Sequence, residues 1–426
     1  MLQKTEYMLA DLKGVPYLLP FGQKVVDLCP AFQMNEEGAL LWKLLDEAVS
    51  ESDLAERFAQ REQLTESKKK EAEKDIYEFL QSLVRLGALG SFHSDKKFSP
   101  GGNDICPNAF SENQTEASRM DLQLAGMTVR LIGSSSYFSP ELVPFIREAE
   151  PGVVPDQQIL LSETSAPTVS VSESAAPVPP LESRQVLSHA DLTLLDEGPS
   201  WYLKSPAFPS IQGTRIAKDG SRAEIRIRPF HELQKNPKKQ QSTKAAEAKI
   251  AEDIFLMIRP CFLVLAQQRG FFALHSASIL YQGRAWLFSA PSGTGKSTHA
   301  DLWEKKYETP VLNGDLNLIG FDKHGIPTVY GMPWCGTSGI AAPGHWPLGG
   351  IILLCRDSRN FTEELTPDQQ QLSVTQRLIS PVWTEELLKR NLDFTKKLTG
   401  SVPTIRLHCT KDPKAASVLK NYIDSL

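Results

Sequence analysis

Ala285-Trp-Leu-Phe-Ser-Ala-Pro-Ser-Gly-Thr-Gly-Lys-Ser-Thr298 is an apolar strand, a glycine-rich turn and the opening of a helix, in that order. Counted from Ala290, it has the spacing of a phosphate loop: four residues, then Gly295-Lys296-Ser297. The composition suits that chemistry. Gly293 and Gly295 let main-chain N–H groups turn inward around phosphate oxygens, and the helix that follows adds its positive end. Ser292 to Thr298 form the predicted cradle: Ser292, Gly293, Thr294, Gly295, Lys296, Ser297 and Thr298. Lys296 supplies a mobile charge for terminal phosphates, and the Ser297 hydroxyl is a ligand for Mg²⁺.

Two flanking segments extend the site. Thr309-Pro-Val-Leu-Asn-Gly-Asp-Leu-Asn-Leu-Ile319 places Asp315 at the end of an apolar strand, where its carboxylate can hold Mg²⁺ directly or through water. His275 lies in the strand Ala273-Leu-His-Ser-Ala-Ser-Ile279 and reads either as a core histidine or as an active-site residue. Downstream, Tyr330-Gly-Met-Pro-Trp-Cys-Gly-Thr-Ser338 is a loop that reads either as lining an acceptor side or as a turn around a packed Trp334.

Outward from this core, helix and strand patterns alternate from about Ser242, which predicts an α/β domain. Strands are expected at Ala273–Leu280, Ala285–Ser289, Pro310–Asn313, Leu316–Ile319, Thr328–Tyr330, Gly349–Leu354 and Thr404–Cys409. A strand-rich region precedes it from Leu122, interrupted by a Ser-, Ala-, Val- and Pro-rich insertion at 162–180. A polar stretch at 93–118 reads as a linker. Before it, a small unit carries short strands at Tyr7–Leu12, Val15–Leu19 and Lys24–Leu28. Three amphipathic helices follow, the first capped by Asn35, the second by Ser50 or Ser52, the third ending at Gly87. The expected division is 1–92, a linker at 93–118, and 119–426, the last split into 119–240 and a phosphate-loop core at 241–426.

The 426 residues are 41% hydrophobic and 23% charged, which excludes wholesale disorder and fibrous architectures. Forty-six basic against 51 acidic residues argue against coating nucleic acid or an anionic membrane. Six cysteines without a CxxC pair speak against a disulfide framework or zinc cluster. Arg259, Gln267, Gln268 and Arg269 interrupt the greasiest stretch, so no bilayer span is expected. A cytoplasmic protein is the expectation.

His275-Ser-Ala, the phosphate-loop strand and the Asp315 strand, at short spacing, resemble the HPr serine kinase/phosphorylase family, which shares a catalytic core with phosphoenolpyruvate carboxykinases. The resemblance implies an α/β P-loop kinase domain that binds ATP and Mg²⁺, with Lys296, Asp315 and His275 as catalytic residues and Ser297 and Asp315 at the metal. This chain departs from the pattern at one position. The family commonly has Asp-Asp where Gly314-Asp315 stands, so the acid usually given the base role is missing, and His275 or Asp315 is left to act.

The N-terminal unit has the order of a small α+β winged-helix domain. Met1–Gly90 holds 11 basic against 16 acidic residues, so a DNA-binding footprint is absent. Asn35-Glu-Glu-Gly-Ala-Leu-Leu-Trp-Lys-Leu-Leu-Asp46, Asp53-Leu-Ala-Glu-Arg-Phe58 and Asp75-Ile-Tyr-Glu-Phe-Leu-Gln-Ser-Leu83 resemble the PqqD family, leader-recognition domains of ribosomally made, modified peptides. The resemblance spans about Glu6–Leu89. It implies a precursor peptide as partner, its leader added to a sheet edge in a groove between Lys24–Leu28 and the Ile76–Val84 helix.

Together these readings predict an ATP-dependent kinase of a peptide Ser/Thr hydroxyl, with no nucleic-acid or membrane partner and with self-association into a homo-oligomer left open. The alternatives are an ATP-binding peptide scaffold without transfer, a kinase of another protein or small hydroxylated metabolite, and a transcription regulator, which the acidic balance disfavours.

Overall fold

The computed structural model describes residues 2–48, 50–91, 118–148, 152–163, 183–189, 192–228, 243–291 and 293–426. The linker expected at 93–118 lies outside them but for Ser118, and the insertion expected at 162–180 lies outside them beyond Glu163.

The N-terminal unit runs β1 (Leu2–Lys4), β2 (Tyr7–Leu12), β3 (Val15–Pro20), α1 (Gln23–Val26), β4 (Phe32–Gln33), α2 (Glu36–Leu44), α3 (Glu51–Arg61), α4 (Glu66–Arg85) and β5 (Leu89–Ser91). Antiparallel β2 and β3 turn at Lys13-Gly14, and β4 adds to β3 at the far side, while β1 pairs with β5. Asn35 caps α2 by accepting from Gly38 N, and Ser50 caps α3 by accepting from Asp53 N. Leu41, Trp42, Leu54, Phe58, Ile76, Leu80 and Leu83 fill the core that the helical spacing predicts.

One expectation is corrected here. Lys24–Leu28 is not a strand. Gln23 N donates to the Glu6 carboxylate at 2.7 Å and its side-chain amide to Asp27, and these bonds close a short helical turn. The third strand of this sheet is Phe32–Gln33.

The larger part contains two sheets about one long helix. A nine-stranded sheet is built from β6 (Ser118–Leu124), β7 (Met127–Gly133), β8 (Ile146–Arg147), β9 (Gln157–Glu163), β10 (Arg184–His189), β11 (Leu192–Asp196), β12 (Ser200–Lys204), β13 (Ile211–Ala217) and β14 (Arg222–Ile227). Its order is β10-β11-β12-β13-β14-β9-β7-β6-β8. Helix α5 (Thr243–Gln268) packs Ile250, Ile254, Ile258, Phe262 and Leu265 into the same core as that sheet and as Leu316, Leu318 and Trp334 of the second one. Apolar residues all round a helix are what burial between two layers requires.

The second sheet holds the phosphate-loop segment. It comprises β15 (Phe272–Tyr281), β16 (Arg284–Ser289), β17 (Val311–Asn313), β18 (Leu316–Phe321), β19 (Pro327–Tyr330), β20 (His345–Arg356), β21 (Phe361–Glu364) and β22 (Thr404–Cys409). The path closes on itself: β20 pairs with β19 through its first residues and, in parallel, with β16 through later ones. Helices α6 (Lys296–Tyr307), α7 (Pro367–Thr375), α8 (Glu385–Thr399) and α9 (Lys414–Asp424) flank it. No described helix is long and apolar enough to cross a membrane.

The two parts touch. Met8, Leu12, Tyr17 and Leu19 of the N-terminal hairpin share a buried cluster with Leu388 and Leu392 of α8, and the Tyr17 hydroxyl donates to Asp368 of α7 at 2.9 Å. Leu392→Ala is expected to lower the unfolding free energy by about 2–5 kcal/mol. Urea denaturation measures it; a loss well below that range would show that the hairpin rests loosely on α8.

Candidate active site

Strand β16 ends at Ser289, and α6 begins at Lys296. The turn between them has Gly293 and Gly295 at φ 74° and 119°, conformations that a side chain resists and that aim main-chain N–H groups to one side. Arg356, at the end of β20, braces the turn by donating to the carbonyls of Gly293 and, at 3.3 Å, Thr294. Ser297 and Thr298 stand exposed on the first turn of α6. Ser292 lies outside the described residues.

Lys296 is buried, and among the described residues its ammonium donates only to the Ala290 carbonyl, at 3.3 Å. Burial lowers its pKa below the ordinary lysine value and the nearby Arg377 lowers it further, while the Asp315 carboxylate opposes both. The neighbouring strands bring the other predicted residues to it. His275 Nε2 lies 3.1 Å from Asp315 Oδ1. That bond, and the charges of His275, Lys296 and Arg259, hold the Asp315 carboxyl below the usual carboxylate range although burial pushes it up. Asp315 is therefore ionised near neutral pH.

A buried polar lattice sets this geometry. The Asn313 side-chain oxygen accepts from Asp315 N and Leu316 N, both at 2.9 Å, and turns the chain between β17 and β18. Its amide donates to the Met332 carbonyl at 3.0 Å. Asn317 donates to the Ser276 carbonyl at 2.6 Å and accepts from the Ser278 hydroxyl at 2.7 Å. On the other side of β15, the Ser289 hydroxyl donates to the His275 carbonyl at 2.8 Å and His275 N donates to the Arg377 carbonyl at 3.0 Å. Each member is satisfied by another, which is what a buried network must achieve to be rigid.

Sequence reasoning missed two cations. Arg259 of α5 and Arg377, just past α7, are both drawn below their ordinary pKa by burial, and Asp315 opposes the shift at Arg259. Among the described residues neither guanidinium has a hydrogen bond or close ion pair. Arg259 left a trace in the sequence, as a charge inside the apolar run Ile254–Ala266 of α5; Arg377 left none. Partly buried cations without anions beside one ionised carboxylate suit a polyanionic ligand. Ser297 and Asp315 offer a hydroxyl and a carboxylate oxygen, a hard donor set that fits Mg²⁺ and leaves most of its octahedron to water and phosphate.

Gly314 is closed to a side chain. A Cβ there would lie 2.1 Å from Ser338 Oγ and 3.2 Å from the Cys335 carbonyl. The loop from Tyr330 presses onto this point because Trp334, 2% exposed, stacks on Phe262 and donates to the Phe255 carbonyl at 3.0 Å. Trp334 is thus packed, and Cys335 is buried with its thiol pKa raised by that burial, which leaves it a poor nucleophile. Beyond the phosphate loop, at the carboxyl ends of parallel β16, β20 and β22, a cavity of about 210 Å³ is lined by Thr294, Thr298, His299, Arg356, Asp357 and Thr410, among others.

Residues 27–89 match the model of coenzyme PQQ synthesis protein D (PqqD), a narrower span than the resemblance at Glu6–Leu89. No curated protein matches the chain. Among solved structures, the Hpr(Ser) kinase/phosphatase from Coxiella burnetii aligns over 36% of this chain and 91% of its own, at 11% identity and a TM-score of 0.23. The chain thus combines a small α+β PqqD region with a larger, sheet-rich α/β part, and an HPr kinase/phosphatase is among its structural neighbours.

Two outcomes are expected. Burial lowers the Lys296 pKa; an anion seated beside it would raise that pKa again, so binding at alkaline pH would take up protons. Calorimetry in buffers of differing ionisation enthalpy should show uptake that grows with pH and vanishes in Lys296→Met; binding without proton exchange contradicts it. Gly314→Asp alone should cost about 1–3 kcal/mol through the clash with Ser338, and adding Ser338→Gly should return most of it in urea unfolding.

Proposed function

We propose that the protein is an ATP-dependent kinase that phosphorylates a Ser or Thr hydroxyl of a ribosomally synthesised peptide, captured through its leader by the N-terminal unit, in the cytoplasm. The observation that carries this reading is the convergence of buried Lys296, the glycine turn, the His275–Asp315 pair and the unpaired Arg259 and Arg377 on one point. Lys296 and Arg259 act on the Asp315 carboxylate and Arg377 acts on Lys296, a surplus of positive charge that a triphosphate would balance. The division into a recognition unit at 1–92, a linker at 93–118 and a catalytic part at 119–426 belongs to the same proposal.

In this reading the turn Gly293–Gly295 and the end of α6 bind the phosphates, with Ser292 to Thr298 as the cradle, and the 210 Å³ cavity receives the nucleoside end. Lys296 and Arg377 neutralise charge that develops on the transferred group. Ser297 and Asp315 would hold Mg²⁺, which supplies further charge neutralisation at the phosphate oxygens. The acceptor's proton passes to the His275–Asp315 pair, the one ionised base at the point where the acids expected from the resemblance are reduced to one. Because transfer depends mainly on positioning and charge stabilisation, a single acid suffices.

The leader is assigned to the open edge of β4. Of the two edge strands in the three-stranded N-terminal sheet, β2 lies against α7 and α8, whereas Phe32 of β4 and Phe79 of α4 pack on the same core. Met34 and Phe79 side chains both lie 3.2 Å from the Cβ position of Gly38, so strand end, helix start and α4 meet there. Main-chain pairing at β4 with apolar contact at Phe79 needs no net charge, in keeping with the acidic balance of this unit.

A second reading has a specific observation behind it. Gly314 carries no carboxylate and Ser338 fills the space, which favours a nucleotide-binding scaffold that presents peptide without transfer. Incubation of the full chain with labelled ATP and candidate precursor peptides separates the two. Label on the peptide, reduced at least about 100-fold by Lys296→Ala, supports the kinase, and nucleotide binding without label supports the scaffold. Phe79→Ala should weaken peptide binding about tenfold or more, worth roughly 1.4 kcal/mol, with nucleotide affinity unchanged; equal peptide affinity would remove the leader from this groove.

A further inference from the structure

We propose that Ser338 is an autophosphorylation site, a hydroxyl of the chain itself held at the acceptor position of its own active site. The proposal rests on the kinase reading above and goes beyond it by naming an acceptor that the structure holds in place.

The geometry is local. Ser338 Oγ occupies the volume into which a side chain at 314 would project, 2.1 Å from that Cβ position, one residue from Asp315. Gly336, two residues earlier in the same turn, packs on Asp315 itself: its Cβ position lies 2.9 Å from Asp315 Cβ and 3.4 Å from Oδ2. The turn Gly336–Ser338 therefore straddles the one carboxylate that Lys296, Arg259 and His275 also address. A larger residue at 314 would expel the serine, so the absence of an acid and the presence of a hydroxyl at this point are one steric fact.

The turn is anchored on one side and free on the other. Trp334 and Cys335 are buried, whereas residues 336 to 340 are exposed. The hydroxyl is held by two bonds of its own turn, donating to the Cys335 carbonyl at 2.7 Å and accepting from Ile340 N at 3.1 Å. Neither partner lies outside the loop, so a rotation of χ1 releases the oxygen without disturbing the core.

The step balances as an ordinary transfer. Ser338 Oγ forms a bond to the γ-phosphorus of a nucleoside triphosphate, the bond from that phosphorus to the bridging oxygen breaks, and the nucleoside diphosphate leaves with the electron pair. The hydroxyl proton passes to the Asp315–His275 pair. The product carries a phosphate group too large for the space that Ser338 Oγ fills beside Gly314, so the phosphorylated turn leaves Gly314 and the acceptor position opens.

The test uses the full chain with Mg²⁺ and labelled ATP, without peptide, followed by mapping of phosphopeptides and by the intact mass of the protein as purified. The expected result is phosphate on Ser338, present already in the purified protein and absent from Lys296→Ala. Ser338→Ala should lose the label while nucleotide affinity by calorimetry stays unchanged, and Ser338→Thr should regain it on the new hydroxyl. Label of equal extent in Ser338→Ala overturns the proposal. So does a wild-type protein that phosphorylates a peptide yet carries nothing on Ser338, an outcome that leaves the kinase reading standing. Nucleotide binding with no transfer to peptide or protein ends both readings together.

Discussion

Asn313 holds the site together. Its side-chain oxygen gathers two N–H groups of the turn that presents Asp315, and its amide ties that turn to the carbonyl of Met332 on the loop above. A residue without both a donor and an acceptor at this buried position would leave several main-chain groups unpaired at once, a cost of about 1–3 kcal/mol each. The surrounding serines and Asn317 repeat the principle along β15. The consequence is a carboxylate whose main chain is fixed by hydrogen bonds, and around which the other groups of the site are arranged.

Electrostatics then explain why the site is costly to keep. Arg259, Arg377 and Lys296 are drawn out of water, and each loses affinity for its proton in the process. The single carboxylate compensates only part of this. Proteins retain such imbalance where a ligand completes it, because the same burial that penalises the free cation strengthens its attraction for an incoming anion. The closed path of strands concentrates these groups: β15 supplies His275, β16 leads into the phosphate loop, and the β17–β18 turn supplies Asp315.

Helix α7 relates this centre to the N-terminal unit. Its first turn carries Asp368, which accepts from Tyr17, and Arg377 follows two residues after its last turn. The segment beyond α7 joins β15 through the bond from His275 N to the Arg377 carbonyl. One short helix therefore touches the N-terminal unit at one end and leads at the other to Arg377, beside Lys296. The hairpin face used for that contact, Met8, Leu12, Tyr17 and Leu19, is buried against Leu388 and Leu392 of α8.

The elements that were legible in the sequence are those whose cause is local. The glycine turn with its strand and its helix, the Asn35 and Ser50 caps, and the periodic stripes of α2 to α4 all follow from residues within a few positions of one another. Lys24–Leu28 was misread as a strand because the bond that makes it helical comes from Glu6, seventeen residues earlier. Arg377 carries no local signal of a role and Arg259 only that of a charge among apolar neighbours, since packing of α5 brings Arg259 to Asp315 and the segment after α7 brings Arg377 to Lys296. Short-range spacing by itself determined the strand, glycine turn and helix around 290–298 and the amphipathic helices of the first ninety residues. Tertiary structure alone decided that Ser338 occupies the space beside Gly314, because no periodicity records which loop will fill a gap left by a missing side chain; that outcome depends on Trp334 finding its pocket on α5, a contact between residues about eighty positions apart.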